Sequence, residues 1–148
     1  MKTVLFLCTG NYYRSRFAEE LFNHQAKRAE LNWTAQSRGL ALERGIDNVG
    51  PISAFAAKAL RSRQVAIGGI DRLPQSCTVS DLKRADLIIA LDEDEHRSLL
   101  AERFPPWDSG VEYWRVPDIE ILSPKAALSD IEKQITLLVS RLGGLEEL

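Results

Sequence analysis

The chain has 148 residues, 45% hydrophobic and 27% charged, a globular composition that fits one compact domain over residues 1–148 and excludes wholesale disorder. Nineteen Lys+Arg against twenty-one Asp+Glu leave a net charge of −2, which argues against a dedicated nucleic-acid binder. No apolar run approaches the roughly 20 residues of a membrane-spanning helix. The charge is uneven: residues 1–74 carry eleven basic and six acidic side chains, residues 75–148 eight and fifteen, so an anionic ligand is expected to meet the N-terminal half. Two isolated cysteines, Cys8 and Cys77, make no disulfide framework and point to a reducing compartment. With no signal-peptide pattern at the start, the expected location is the cytoplasm.

Strands and helices alternate along the chain. Val4–Leu7 is a continuous apolar run, as in a strand buried on both faces. Ser15 to about Glu30 reads as a helix with Ala18, Leu21, Phe22, Ala26 and Ala29 on one side. Trp33–Ser37 reads as a second strand and Leu40–Gly50 as a loop. Ile52–Arg63 reads as a helix with Phe55, Ala59 and Leu60 facing inward, and Ile67–Ser76 as irregular. A helical turn at Asp81–Arg84, a strand at Leu87–Leu91, a helix at Glu93–Phe104 ended by Pro105-Pro106, and a strand at Val111–Val116 follow. Ser123-Pro124 opens the last helix, with Leu128, Ile131, Ile135, Leu138 and Leu142 at spacings of three and four. Gly143-Gly144 is expected to end it, leaving 145–148 as a loose tail. The implied class is α/β: a four-stranded parallel sheet flanked by helices on both faces, with ligands bound at the carboxyl ends of the strands.

The loop after the first strand reads Cys8-Thr9-Gly10-Asn11-Tyr12-Tyr13-Arg14-Ser15. It leaves a buried strand and enters a helix, so its N–H groups lack intrahelical partners and can converge on an anion. Gly10 permits a positive φ and Asn11 tolerates one, curvature that aims successive N–H groups at one centre. Arg14 adds a guanidinium clamp. Cys8 lies at the bottom of this positive bowl, where a thiolate is favoured and the Ser15 hydroxyl can donate to it. The plainer alternative makes Cys8 a small buried residue and Arg14 a surface charge. Its weakness is that the Cys-x5-Arg-Ser pattern falls on the first strand-to-helix junction.

Val4-Leu5-Phe6-Leu7-Cys8-Thr9-Gly10-Asn11, with Arg14-Ser15 and Ala18-Glu19, resembles the N-terminus of the low-molecular-weight protein tyrosine phosphatases. The resemblance continues through Ser37-x-Gly39, Ala85–Asp92 and Val116-Pro117-Asp118. It implies hydrolysis of a phosphate monoester through a phosphocysteine, without metal or other cofactor. Cys8 would be the nucleophile, Arg14 the clamp, and Asp118 the acid that protonates the leaving oxygen and then activates water. Glu120 is the runner-up acid. Thr9, Gly10, Asn11, Tyr12, Tyr13 and Ser15 would bind phosphate, with Ser37 as a brace. The partner would be a phosphorylated protein or a small aryl phosphate, with neither nucleic acid nor membrane involved.

Several positions depart from the family. Tyr13 stands where many members carry a second cysteine. Ile119-Glu120 follow Asp118 where an aromatic wall is usual, Glu43 or Arg44 occupies the other wall, and Arg72 replaces a family histidine. These changes bear on phosphotyrosine preference and leave the phosphate cradle intact. His24 and His96 read as surface residues, Cys77 as structural, and Asp92–Glu95 as helix-start charges. Two other functions share the loop. An arsenate reductase needs further resolving cysteines after the third strand, where this chain has none. A module that binds phosphoryl groups without turnover would fit the altered acid loop.

Overall fold

A computed structural model describes residues 1–147, the last three by their helical backbone alone. Strands β1 (Lys2–Cys8), β2 (Trp33–Gly39), β3 (Leu87–Ala90) and β4 (Glu112–Tyr113) form one sheet in the order β2-β1-β3-β4, every pair parallel. The helices are α1 (Arg14–Arg28), α2 (Ala54–Ser62), α3 (Val79–Arg84), α4 (Glu93–Arg103) and α5 (Pro124–Glu147).

The apolar run of β1 divides by the two-residue period of a strand. Val4, Phe6 and Cys8 enter one core with side chains of α1, α2 and α5, while Leu5 and Leu7 enter a second core that includes Leu82, Leu99 and Leu100. Phe6 packs between Phe22 and Trp114, with ring centroids 6.1 and 5.8 Å away. Because β1 lies between β2 and β3, and the helices after β1 and β3 leave toward opposite faces, a crevice opens at the carboxyl ends of these two strands. Such a switch in winding is where open α/β sheets place their ligands.

The structure corrects several expectations. Phe55 is 53% exposed; α2 buries Ala56, Ala57 and Leu60, and a residue one step away on a helix points about 100° off that face. The fourth strand is two residues long, Glu112 and Tyr113 pairing with Ile89 and Ala90 of β3. Beyond it the chain follows β3 through single bonds, Trp114 N–H to Ala90 O and Val116 N–H to Leu91 O. Helix α5 passes through Gly143-Gly144 to Glu147. Glycine permits a left-handed cap without requiring one, and an interior glycine costs roughly 1 kcal/mol, which the buried stripe from Leu128 to Leu142 offsets. The expected loose tail is therefore helical through residue 147, and residue 148 lies outside the described residues. Helix α1 ends two residues before the expected Glu30, which takes a left-handed φ of 54° while Leu31 N–H bonds back to Ala26 O.

Candidate active site

The loop from Cys8 to Ser15 joins β1 to α1 at the crevice. Helix α1 opens without a side-chain cap at Tyr13. Among the described residues, no backbone carbonyl outside the helices and strands accepts from the amides of residues 10–13. These N–H groups and the helix terminus remain available to an oxyanion. The left-handed turn falls on Asn11, with φ 50°, rather than on Gly10. At Gly10 a Cβ would meet only the Asn48 side-chain nitrogen, at 3.4 Å, about an ordinary contact distance.

Asn11 is fully buried and bonded at both ends of its side chain. Its Oδ1 accepts from Arg72 Nη1 (3.1 Å) and Gln75 N–H (3.0 Å), and its Nδ2 donates to Ser15 Oγ (3.0 Å) and Ser37 Oγ (2.9 Å). The two obligate donors at Oδ1 settle which end of the amide is which. Ser37 Oγ donates to Glu19 Oε1 at 2.7 Å and accepts from Arg72 Nη2 at 2.9 Å. Ser15 Oγ, already accepting from Asn11, lies 2.9 Å from Cys8 Sγ and can donate its proton to the sulfur. The network extends to Arg16, a fully buried cation that donates to Gly69 O (2.9 Å) and Arg72 O (3.2 Å), so it pins the segment that carries Arg72. Burial first, and then the Arg72 charge, push the Arg16 pKa down, while Glu19 and Glu20 oppose them.

Arg14 is 2% exposed. Its Nη1 donates to Val116 O at 2.9 Å and its Nη2 to Glu95 Oε2 at 2.8 Å, and Asp118 Oδ2 stands 3.9 Å from Nη2. Burial works to lower the guanidinium pKa, and the negative charges of Cys8, Glu95 and Asp118 outweigh it. Asp118 is half exposed at the cavity mouth and accepts from the Ile119 N–H at 2.8 Å. Burial and the Asp118 charge raise the Tyr13 phenol to about 12, and its hydroxyl is buried without a partner among the described residues. Tyr12 OH donates to Val49 O at 2.6 Å, which fixes its ring at the rim.

Beside the loop lies a cavity of about 390 Å³, lined among others by Thr9, Tyr12, Tyr13, Phe55, Asp118 and Ile119, and also by Arg44 and Glu120. Glu43 is not in this wall; it forms an ion pair with Arg103. Phe55 supplies aromatic surface that the expected inward orientation had assigned to the core.

His96 corrects the reading of a surface histidine, for it is fully buried. Its Nδ1 accepts the Asp92 N–H at 3.0 Å, so its proton sits on Nε2, 3.0 Å from Glu95 Oε2 and 3.2 Å from Thr9 Oγ1. Burial lowers its pKa against the pull of Glu95. Asp92 is likewise more than a helix-start charge: it is buried, makes no capping bond, and has its carboxyl raised first by burial. Sequence reasoning missed the pair Glu95–His96. Their one signal was position, five and six residues past the end of β3, the strand next to β1. Cys77 is buried, its thiol pushed up to about 12 by burial and the nearby Asp81. Among the described residues, no three His, Cys, Asp or Glu side chains are grouped to hold a metal ion.

The sequence matches the model of the low molecular weight phosphotyrosine protein phosphatases over residues 3–143. It is 29% identical over 135 residues to the protein-arginine-phosphatase of Bacillus subtilis (strain 168), covering 88% of this chain and 85% of that one. The crystal structure of the low molecular weight protein tyrosine phosphatase of Streptococcus pyogenes superposes with a TM-score of 0.78 at 26% identity, covering 96% of this chain and 93% of that one. The corresponding enzyme of T. tengcongensis gives 0.75 at 25% identity over the whole of both chains. Sequence, fold and the loop around Cys8 thus agree, and the chain belongs to the low molecular weight phosphotyrosine protein phosphatase family, as a cysteine-dependent phosphatase.

Proposed function

We propose that this chain dephosphorylates proteins, with phosphotyrosine as the substrate residue, through Cys8, Arg14 and Asp118. The reading rests on one arrangement: a cavity of about 390 Å³ with aromatic and aliphatic walls at Tyr12, Phe55 and Ile119, opening beside the loop that holds Cys8. A phenyl ring can lie against those walls while its phosphate reaches the open amides of residues 10–13 and Arg14.

In this mechanism the Cys8 thiolate attacks phosphorus in line with the departing oxygen. The Ser15 hydroxyl steadies the sulfur, and the loop amides and Arg14 bind the three non-bridging oxygens. Asp118 gives its proton to the leaving phenolate, producing tyrosine and a phosphocysteine. It then takes a proton from water as that water attacks the phosphocysteine, releasing phosphate and restoring the thiolate. No redox partner enters the balance.

A second substrate residue, phosphoarginine, is favoured by the carboxylates of Asp118 and Glu120 at the same cavity. They suit a guanidinium better than a phenyl ring, and one relative is named for that activity. The deciding experiment measures kcat/KM on matched phosphotyrosine and phosphoarginine peptides, with Cys8→Ser as the control. Turnover of the phosphotyrosine peptide, lost in Cys8→Ser, supports the proposal. Turnover confined to phosphoarginine moves the substrate to the second residue, and turnover that survives Cys8→Ser overturns the mechanism.

A further inference from the structure

Helix α4 begins with Glu93, Asp94 and Glu95. Glu93 pairs outward with Arg97 and Arg115. Glu95 turns inward, and one of its oxygens, Oε2, accepts from three donors: Arg14 Nη2 (2.8 Å), His96 Nε2 (3.0 Å) and the Thr9 hydroxyl. A guanidinium only donates, and the His96 proton is placed on Nε2 by the Asp92 N–H at Nδ1. Burial works to raise the Glu95 carboxyl, but the bonds from His96, Arg14 and Thr9, with the Arg14 charge, hold it well below the usual carboxylate range.

Thr9 and Arg14 stand near opposite ends of the phosphate loop, so Glu95 ties those ends together from the neighbouring strand's helix. With Val116 O on Nη1, it also fixes the plane of the guanidinium. Of the five N–H donors of Arg14, these two bonds use two and leave three for phosphate oxygens.

We infer that Glu95 is a positioning residue for Arg14, one that holds the guanidinium in its transition-state orientation while its own negative charge weakens the grip on inorganic phosphate. The inference rests on the assignment of Cys8 and Arg14 made above. Its two halves have opposite signs. Orientation acts on kcat, because a clamp held in advance needs no reorganisation as charge develops. The carboxylate charge acts on ground-state affinity, because it neutralises part of the field that draws a dianion. A purely structural role would give no gain in phosphate affinity.

The test compares wild type, Glu95→Gln, Glu95→Ala and Cys8→Ser in turnover of a phosphotyrosine peptide and a small aryl phosphate, and in competitive inhibition by inorganic phosphate. Glu95→Ala is expected to lower kcat by about 10- to 100-fold with KM changed less than about 3-fold. Glu95→Gln keeps an acceptor of the same shape and should recover kcat to within about 5-fold of wild type, with phosphate inhibition tightened by about 3-fold or more. The inference is overturned if Glu95→Ala keeps wild-type kcat, if Glu95→Gln is no better than Glu95→Ala, or if phosphate inhibition of Glu95→Gln is unchanged. Should Glu95→Ala fail to fold, the near-isosteric Glu95→Gln still decides through its phosphate affinity. A wild type without turnover on either compound, or turnover that survives Cys8→Ser, would defeat the functional assignment itself and is read separately.

Discussion

Arg72 Nη1 donates to Asn11 Oδ1 at 3.1 Å, so the left-handed residue of the phosphate loop is held from 61 positions further along the chain. Asn11 joins that cation to Ser15 and Ser37, and through Ser15 to the Cys8 sulfur.

Asn11→Ala removes four hydrogen bonds and leaves a residue with a Cβ but no side-chain compensation at φ 50°. The expected cost is about 2–4 kcal/mol of stability and at least about 10-fold in kcat. Asn11→Gly relieves the backbone part only, so its stability should exceed that of Asn11→Ala by about 1 kcal/mol while kcat remains low. Urea unfolding and steady-state kinetics check both, and wild-type kcat in Asn11→Ala would separate the brace from the chemistry.

Asp118→Asn should lower kcat by about 100-fold or more with little change in KM, because the proton is required only in the transition state. The loss should shrink on aryl phosphates whose phenols are strong acids, since those leave without protonation. A loss that is equal for good and poor leaving groups would transfer the acid role away from Asp118.

Gly39 ends β2 against the loop. A Cβ there would stand 2.5 Å from Leu42 Cδ2, 2.9 Å from the Thr9 carbonyl oxygen and 3.2 Å from Asn11 Cβ. Leu42 can move, but the Thr9 carbonyl is backbone and is already bonded to the Ala41 N–H. Gly39→Ala is expected to cost about 1–3 kcal/mol and to reduce kcat by displacing the loop. Thermal melts and kcat read the two effects, and a fully active, fully stable variant would show that the loop yields there.

Burial holds His96 below its ordinary pKa. The unfolded chain therefore takes up the His96 proton near pH 6.5 while the native protein still excludes it. Stability should fall as pH drops through that value, by at most about 1.4 kcal/mol per pH unit. Asp92 and Glu20, both raised first by burial, act in the opposite sense nearer the carboxylate range. The measurement is accordingly a difference. Urea midpoints at pH 7.5 and 5.5 should lie further apart in wild type than in His96→Gln, and equal gaps would remove His96 as the source.

The sequence was most informative where one local rule decides. The two-sided burial of Val4–Leu7, the Cys8–Ser15 loop and the stripe of α5 all follow from periodicity or spacing within a few residues. Ser37 followed only from its place in a family pattern, and the structure puts it in direct contact with Asn11. What was not legible depends on which strands become neighbours. Glu95 reads as a helix-start charge and His96 as a surface residue until β3 is laid beside β1, which brings Glu95 to Arg14 and Thr9. Arg72 lies in a segment without periodicity, and only its fold-back onto β2 gives it Asn11 and Ser37 as partners. Phe55 was misplaced because a helix of nine residues with alanine on its buried face leaves the choice of side to its neighbours.

The order of synthesis adds a consequence. Cys8 leaves the ribosome long before Arg72, Glu95, Val116 and Asp118, the groups that complete its surroundings. A nascent chain therefore lacks the contacts from Arg72, Glu95 and Val116 that hold the loop and its guanidinium, and these can form only after synthesis has passed residue 118 and β3 has docked beside β1.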